Sequence, residues 1–459
     1  MACSLIARAT RFVPLSDCLR DKRGVSALMF TASAVGFFGM AGFGMEVSTW
    51  YLERRHGQNT ADAAAIAGVL QLVQSASDYT GAQTAGSNVA TDNGYTSGSS
   101  SATVTIEPGT WGSSSFGAAA GGSCSPSCSA VRAILVRSVP RSFTALIMGN
   151  GSTNVGEVGI AALGIVNSAC SLALGGGLAF SGSAAVTGTN CTLASNKIGP
   201  QSITFNGAGA NKTQANAILI GAGGCTQSGS GSPCTQPGNM MYQPTTVDPY
   251  QALLTDPNAI PSAVNATNCS SSATAQSPFI ISTGVFCVGT DLKLNNGSTA
   301  MNLTSGTYFF FDSSIIITGG TLTCNGCTII FTGDKANKLG QLSINGGTIT
   351  MSAAKTSTYA DTNYNGVLFY MDASFAEHSN ACGSAQVSIQ GSATVTLNGG
   401  MYFPNASVCV TGNAFSSSES CLSLVAWSIT YTGNMTGNLT GCGTSGTQTA
   451  QVRAVNLVQ

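Results

Sequence analysis

Cys324-Asn-Gly-Cys327 is the pair in this 459-residue chain best spaced for chemistry. A C-x-x-C pair can cycle between dithiol and disulfide, or supply half of a zinc site. The redox use needs a thioredoxin-like strand–helix setting. Here Thr321-Leu-Thr precedes and Thr328-Ile-Ile-Phe follows, which predicts strand, Asn-Gly turn, strand. Zinc needs two more ligands, and the chain has two histidines, His56 and His378. The pair is therefore expected to be a structural clip. Carbohydrate cleavage would need paired carboxylates with sugar-binding rings. Asp291, Asp312, Asp334, Asp361, Asp372, Glu377 and Glu419 follow no common spacing, and His378 beside Glu377 and Cys382 is a lone imidazole. P-loop, nucleophile-elbow, H-E-x-x-H and calcium-loop patterns are lacking. The expectation is no catalytic residue, no cofactor, no metal and no small-molecule substrate.

The remaining cysteines point to a compartment. Cys3 and Cys18 precede a long apolar run and are expected to stay reduced; fourteen follow it. An even set in an oxidising compartment predicts disulfides. Proximity pairs Cys124/Cys128, Cys225/Cys234, Cys269/Cys287, Cys324/Cys327 and Cys421/Cys442, leaving Cys170/Cys191 and Cys382/Cys409, although spacing alone does not fix connectivity. Charged residues make up 8% of the chain, against roughly 25% in ordinary soluble proteins. A net charge of −1 gives no footprint for nucleic acid. A hydrophobic content of 43% argues against a disordered chain.

The elements that hold these residues begin with a membrane anchor. Residues Val25 to Met45 carry no charge, and as a helix they span about 31 Å, the thickness of a bilayer core. A secretory signal peptide is the rival reading, with Ala41, Gly42 and Gly44 as a mimic of its cleavage site. Arg8, Arg11, Arg20, Lys22 and Arg23 place the basic excess before the run, so residues 1–24 are a cytoplasmic stub and 25–45 a single span. Residues 46–93 are expected to continue the helix outside the cytoplasm, broken near Gly57 if anywhere, with Ile66, Val69, Val73 and Ala76 as an apolar stripe and Asp92-Asn-Gly94 as its stop. Gly36, Gly39, Ala41, Gly42 and Gly44 offer a smooth face to a second helix.

Asp21-Lys-Arg-Gly24, the apolar run, Glu46, Trp50-Tyr51, Arg54-Arg55, Gln58-Asn59 and Ala61-Asp62-Ala63-Ala64-Ala65 together resemble the TadE/TadG-like Flp pilus-assembly family. The similarity covers about 50 residues and extends loosely to Val131–Val139 and Phe143. It implies an inner-membrane component of the Tad apparatus, with other Tad/Flp subunits as partners. Members processed as pilins carry Glu five residues after the glycine, where this chain has Met29, so the resemblance is to unprocessed TadG-type members. Asp372-Ala-Ser-Phe-Ala376 is an incomplete match to the metal motif of some such members and is read as chance.

Beyond residue 168 the pattern changes to short β-rich runs, among them Thr307-Tyr-Phe-Phe-Phe, Ile315-Ile-Ile-Thr, Thr348-Ile-Thr-Met and Val367-Leu-Phe-Tyr. Gly319-Gly320, Gly346-Gly347 and Gly399-Gly400 echo one another at steps of 27 and 53 residues, one repeat and two. Gly182-Ser-Ala-Ala-Val-Thr and Gly391-Ser-Ala-Thr-Val-Thr form a second echo. Such repeats predict a solenoid, here a right-handed parallel β-helix; an irregular β-sandwich is the alternative. The expected organisation is a small β-rich module over 94–168, first coils over 169–224, a proline-rich insertion clipped by disulfides over 225–290, and the main solenoid over 291–459. Function follows as a single-pass bacterial inner-membrane structural component of a pilus or secretion apparatus, with its solenoid in the periplasm or at the surface. An anchored β-helix carbohydrate-active enzyme or a glycan-binding adhesin is the alternative.

Overall fold

The computed structural model describes residues 22–458, apart from 99–100, 126, 190, 208–217, 229–231, 335–338, 360–361, 375–381, 383–384, 392, 413–420, 434–435, 441 and 443–445. It divides into one unit of residues 1–162 with 456–459, and a second of residues 163–455.

The first unit is built on helix α1, Lys22–Gln74. The helix does not break at Gly57, as expected, but at 75–78, before α2, Tyr79–Asp92. The physical cause is Asp78, which caps α2 by accepting from the Gly81 amide at 2.8 Å and takes a second bond from Gln71 at 2.9 Å. The Gln71 and Gly81 bonds hold the Asp78 carboxyl below its ordinary range. α2 then folds back on α1. A Cβ on Gly68 would lie 3.1 Å from the Ala82 carbonyl, and one on Gly86 would lie 3.0 Å from that of Ala64. The helical core face is Ala61, Ala64, Ala65, Val69 and Leu72, all fully buried or nearly so. The expected stripe ends early: Val69 is buried, but Ala76 lies exposed in the turn because α1 stops at Gln74. The helices cover an antiparallel sheet of β1 (Ala102–Gly112), β2 (Ser115–Ala118), β3 (Ala130–Pro140) and the first part of β4 (Ser152–Ser181), in the order β2–β1–β3–β4. A four-residue helix α3, Ala145–Met148, lies between β3 and β4.

The second unit is a parallel β-solenoid of about 9 turns. Each turn has three sides: side b stacks strands such as Leu292–Leu294, Ile315–Ile317 and Leu342–Ile344, and side c stacks Ala300–Leu303, 321–324 and Thr348–Ala353. Side a stacks Val285–Val288, Gly306–Phe311, 327–332, Val367–Met371, 399–403 and 422–426. The next rung is residues 171–173, followed by Thr192–Ser195 and Ile218–Gly221. The order of the stack is therefore not the order of the chain. The chain starts in the middle, winds to one end near Met240, crosses to the opposite end at Phe279, and winds back until residues 422–432 close against 171–180.

Both faces of side a are buried, which explains its unbroken apolar strands such as Thr307-Tyr-Phe-Phe-Phe311 and Val367-Leu-Phe-Tyr-Met371. Phe310, Phe331, Phe369 and Leu424 belong to the inner core. Phe309, Tyr370, Tyr402 and Val425 belong to a second, outer cluster, which the crossing segment completes with Tyr250, Leu253, Ala259 and Val264. The region expected as an insertion over 225–290 is thus narrower. Cys225–Gln227 and Val285–Val288 are solenoid rungs, and the intervening prolines mark a strap laid along side a. Its contacts follow the axis: the Thr246 amide donates to Asn196 at 2.7 Å, Tyr402 to Asp248 at 2.7 Å and Tyr364 to the Ala259 carbonyl at 2.8 Å.

The second echo marks equivalent corners. Gly391, Gly412, Gly433, Gly182 and Gly207 form one ladder between sides b and c, and the last four have φ between 63° and 107°. A Cβ on Gly182 would lie 3.3 Å from the Gly433 amide nitrogen, so the ladder runs straight through the closure. The first echo holds only in part. Gly319-Gly320 and Gly346-Gly347 stack one turn apart, whereas Gly399-Gly400 turns a different corner, onto side a. The step of 53 residues is not two repeats: Thr348 pairs with Thr394 in the very next turn, which carries a long loop.

Candidate membrane and assembly site

The apolar half of α1 stands open. Phe30, Val35, Phe37, Phe38, Met40 and Met45 each keep 68–76% of their surface exposed. The helix is long and apolar enough to cross a membrane. Within the expected glycine face, a Cβ on Gly36 or Gly44 would meet nothing within 4 Å, and Ala41 is exposed. Gly42 differs, because a Cβ there would strike the ring of Phe143 at 2.3 Å; Gly39 lies at the far edge of the same ring.

Several motif residues dock α1 on its own module. Glu46 is buried, and its two carboxylate oxygens accept the amides of Ser142, Phe143 and Thr144 at 2.9, 3.1 and 2.6 Å, and the Thr144 hydroxyl at 2.9 Å. A carboxylate has acceptor sites for all four donors. Arg54 pairs with Glu157 at 3.0 Å, and Gln58 donates to the Val158 carbonyl at 3.0 Å and to Asp62 at 2.8 Å. Ala61 lets β4 approach so closely that a Cβ on Gly159 would lie 2.6 Å from its backbone carbon. Ala64 and Ala65 are buried, while Asn59 and Ala63 face outward. Tyr51 is exposed beneath the Arg55 guanidinium, 5.7 Å from its ring centre. Trp50 is half-buried, and its indole N–H meets no partner among the described residues. Gly24 lies in the first turns of α1.

Residues 24–78 match the family model described as putative Flp pilus-assembly TadE/G-like. The Tad-like segment thus ends at the turn where α1 gives way to α2. No curated protein and no solved structure gives a significant match to the chain.

The sequence reading missed three residues that complete the docking of the Tad-like helix. Glu53 accepts from Arg137 at 2.9 Å and from the Tyr95 hydroxyl at 2.7 Å, and Arg137 stacks 4.1 Å over the Tyr95 ring. Burial first, and then the Glu53 carboxylate, push the Tyr95 hydroxyl well above its ordinary range. No spacing rule joins positions 53, 95 and 137; only the folded sheet does.

The structure joins Cys124–Cys128, Cys170–Cys191, Cys225–Cys234, Cys269–Cys287, Cys324–Cys327, Cys382–Cys409 and Cys421–Cys442. Cys324 and Cys327 sit at the corner from side c to side a, and Cys269–Cys287 ties the end of the strap to the lowest turn. The solenoid carboxylates serve local turns: Asp291 accepts from Ser314 at 2.8 Å and pairs with Lys293, and Asp372 accepts from Thr332 at 2.9 Å. Asp361, Glu377, His378 and Glu419 lie outside the described residues. Among the described residues no three His, Cys, Asp or Glu side chains converge.

Proposed function

We propose that this chain is a structural component of a Tad/Flp-type pilus-assembly or secretion apparatus. Its α1 spans the bacterial inner membrane once, with the basic stub in the cytoplasm and the solenoid outside. It works by contact rather than by turnover. The observation that carries this reading is the match over residues 24–78 on a helix whose Phe30, Val35, Phe37, Phe38, Met40 and Met45 stand exposed. Trp50, Tyr51, Arg54 and Arg55 follow the apolar run at the level of the lipid headgroups, where aromatic and basic side chains are favoured. Gly44 is the position at which a helix of another subunit would pack most closely. Disulfides across neighbouring turns suit an oxidising compartment.

The test is fractionation of the native host, with blots of sheared surface fibres, inner membrane and soluble periplasm, each run reduced and non-reduced. Full-length protein in the inner membrane, with a disulfide-dependent mobility shift, supports the anchored component. Protein in the fibres, shortened to start after Gly24, makes it a fibre subunit instead. Release to the periplasm after cleavage near Met45 overturns the anchor.

A further inference from the structure

We infer that residues 142–149 form a second membrane contact, a short apolar loop that enters the outer leaflet beside α1. This rests on the reading of α1 as a membrane span. The Phe143 ring sits against Gly42 and reaches Gly39, both inside the uncharged run. Gly39 is six residues below Met45, so the Phe143 ring reaches about 9 Å below the end of that run. The loop continues as the wholly apolar helix Ala145–Met148, and Met148 keeps 72% of its surface exposed. Phe143, Met148, Gly36, Phe38, Gly39 and Phe43 line an open groove of about 800 Å³ with almost no polar surface.

Lipid is the occupant that fits. The groove is continuous with α1's own exposed apolar surface, so any bilayer that receives α1 at this depth also receives the loop. Backbone polar groups in hydrocarbon must be satisfied internally. Here the first three loop amides bond Glu46, and the Met148 amide bonds the Thr144 carbonyl at 2.8 Å. The neck of the loop is polar: the Arg141 amide bonds the Gly151 carbonyl at 2.9 Å, and its guanidinium bonds Thr153 at 3.2 Å. An apolar tip on a polar, basic neck is the pattern of interfacial insertion.

The experiment uses full-length protein in phosphatidylcholine–phosphatidylglycerol vesicles with acyl chains brominated at mid-depth. Met148→Trp places a reporter in the loop, and Thr80→Trp places one in the exposed first turn of α2. Emission is read as the difference from the parent protein. The proposal expects the Met148→Trp difference emission to shift to the blue and to fall about twofold with brominated lipid, and that of Thr80→Trp to stay unchanged. Co-flotation with the vesicles but equal, weak quenching of both reporters overturns the loop insertion and leaves the anchor standing. A blue shift without quenching, together with cross-linked dimers, overturns it in favour of a second copy in the groove. Failure to co-float removes the anchor, and the loop proposal falls with it.

Discussion

The Tyr431 hydroxyl donates to Ser171 Oγ at 3.1 Å, across 260 residues of sequence. On the inner face of side a, Met401, Leu424, Ser171, Leu193 and Leu219 occupy successive rungs, and Ser171 is the polar one. Beside it, Tyr431 stacks on Phe180 with ring centres 5.5 Å apart, and Phe180 on Phe205 at 4.6 Å. The two arms of the solenoid are thus joined by core packing as well as by strand pairing.

Substitution at this seam should weaken the whole solenoid. Gly182→Val places a branched side chain at φ 71° against the Gly433 backbone. The expected loss is about 1–3 kcal/mol. Gly199→Val supplies the control, with φ 102° but nothing within 4 Å of its Cβ. A larger fall in melting temperature for the first than for the second, measured by circular dichroism, isolates the clash from the strain.

The strap should respond to pH through Asp248. Burial raises its pKa, outweighing the hydrogen bonds from Tyr402 and the Tyr250 amide. The folded state therefore holds this proton more tightly than the unfolded chain. Its contribution to stability is full below the unfolded value, near 3.8, and is lost as pH rises through the folded value. Melting temperature measured between pH 4 and 7 should show this fall in the parent protein, and Asp248→Asn should remove it. Identical pH profiles would show that the carboxylate does not titrate within the fold.

Glu46 should hold the loop after β3. Glu46→Ala leaves three amides and one hydroxyl without their acceptor. Hydrogen exchange at residues 142–144 should accelerate by roughly tenfold or more, with β1 and β3 unchanged. Unchanged exchange would mean that solvent or lipid replaces the carboxylate fully.

Two glycines of α1 should separate packing within the chain from packing between chains. Gly42→Leu collides with Phe143 and is expected to loosen the loop. A Cβ on Gly44 meets nothing within 4 Å, so Gly44→Leu should leave the melting temperature unchanged while, on the proposed function, reducing co-purification of partner subunits from membranes. Full co-purification with Gly44→Leu would place the assembly face elsewhere.

Local features were legible in the sequence, and long-range ones were not. The uncharged run, the Asn-Gly clip at Cys324–Cys327 and the strand-rich repeats each depend on neighbouring residues. The helix break lies between Gln74 and Tyr79 and not at Gly57, where a glycine suggests a weak point. In the fold its missing side chain makes room for the Tyr95 hydroxyl and Glu157, while Asp78 ends the helix by capping the next one. The glycine pair at 399 departs from the echo because the turn from Thr348 to Thr394 is longer than the one from Thr321 to Thr348, so equal spacing no longer means equal position. The match of residues 171–180 to 424–431 left no trace, since parallel pairing of β-branched, aromatic and small residues tolerates many partners.

The mid-chain start of the stack has a consequence for biogenesis. Residues 171–181 are synthesised early, but the rung beneath them, residues 422–432, is the last of the side-a stack to arrive. Until then one edge of that strand offers bare amides and carbonyls, which is the template for pairing with another molecule. Closing such a distant contact is also slow. A chain whose synthesis or folding stalls before residue 432 would therefore leave open-edged intermediates able to capture one another, so the solenoid reaches a closed state only as a whole.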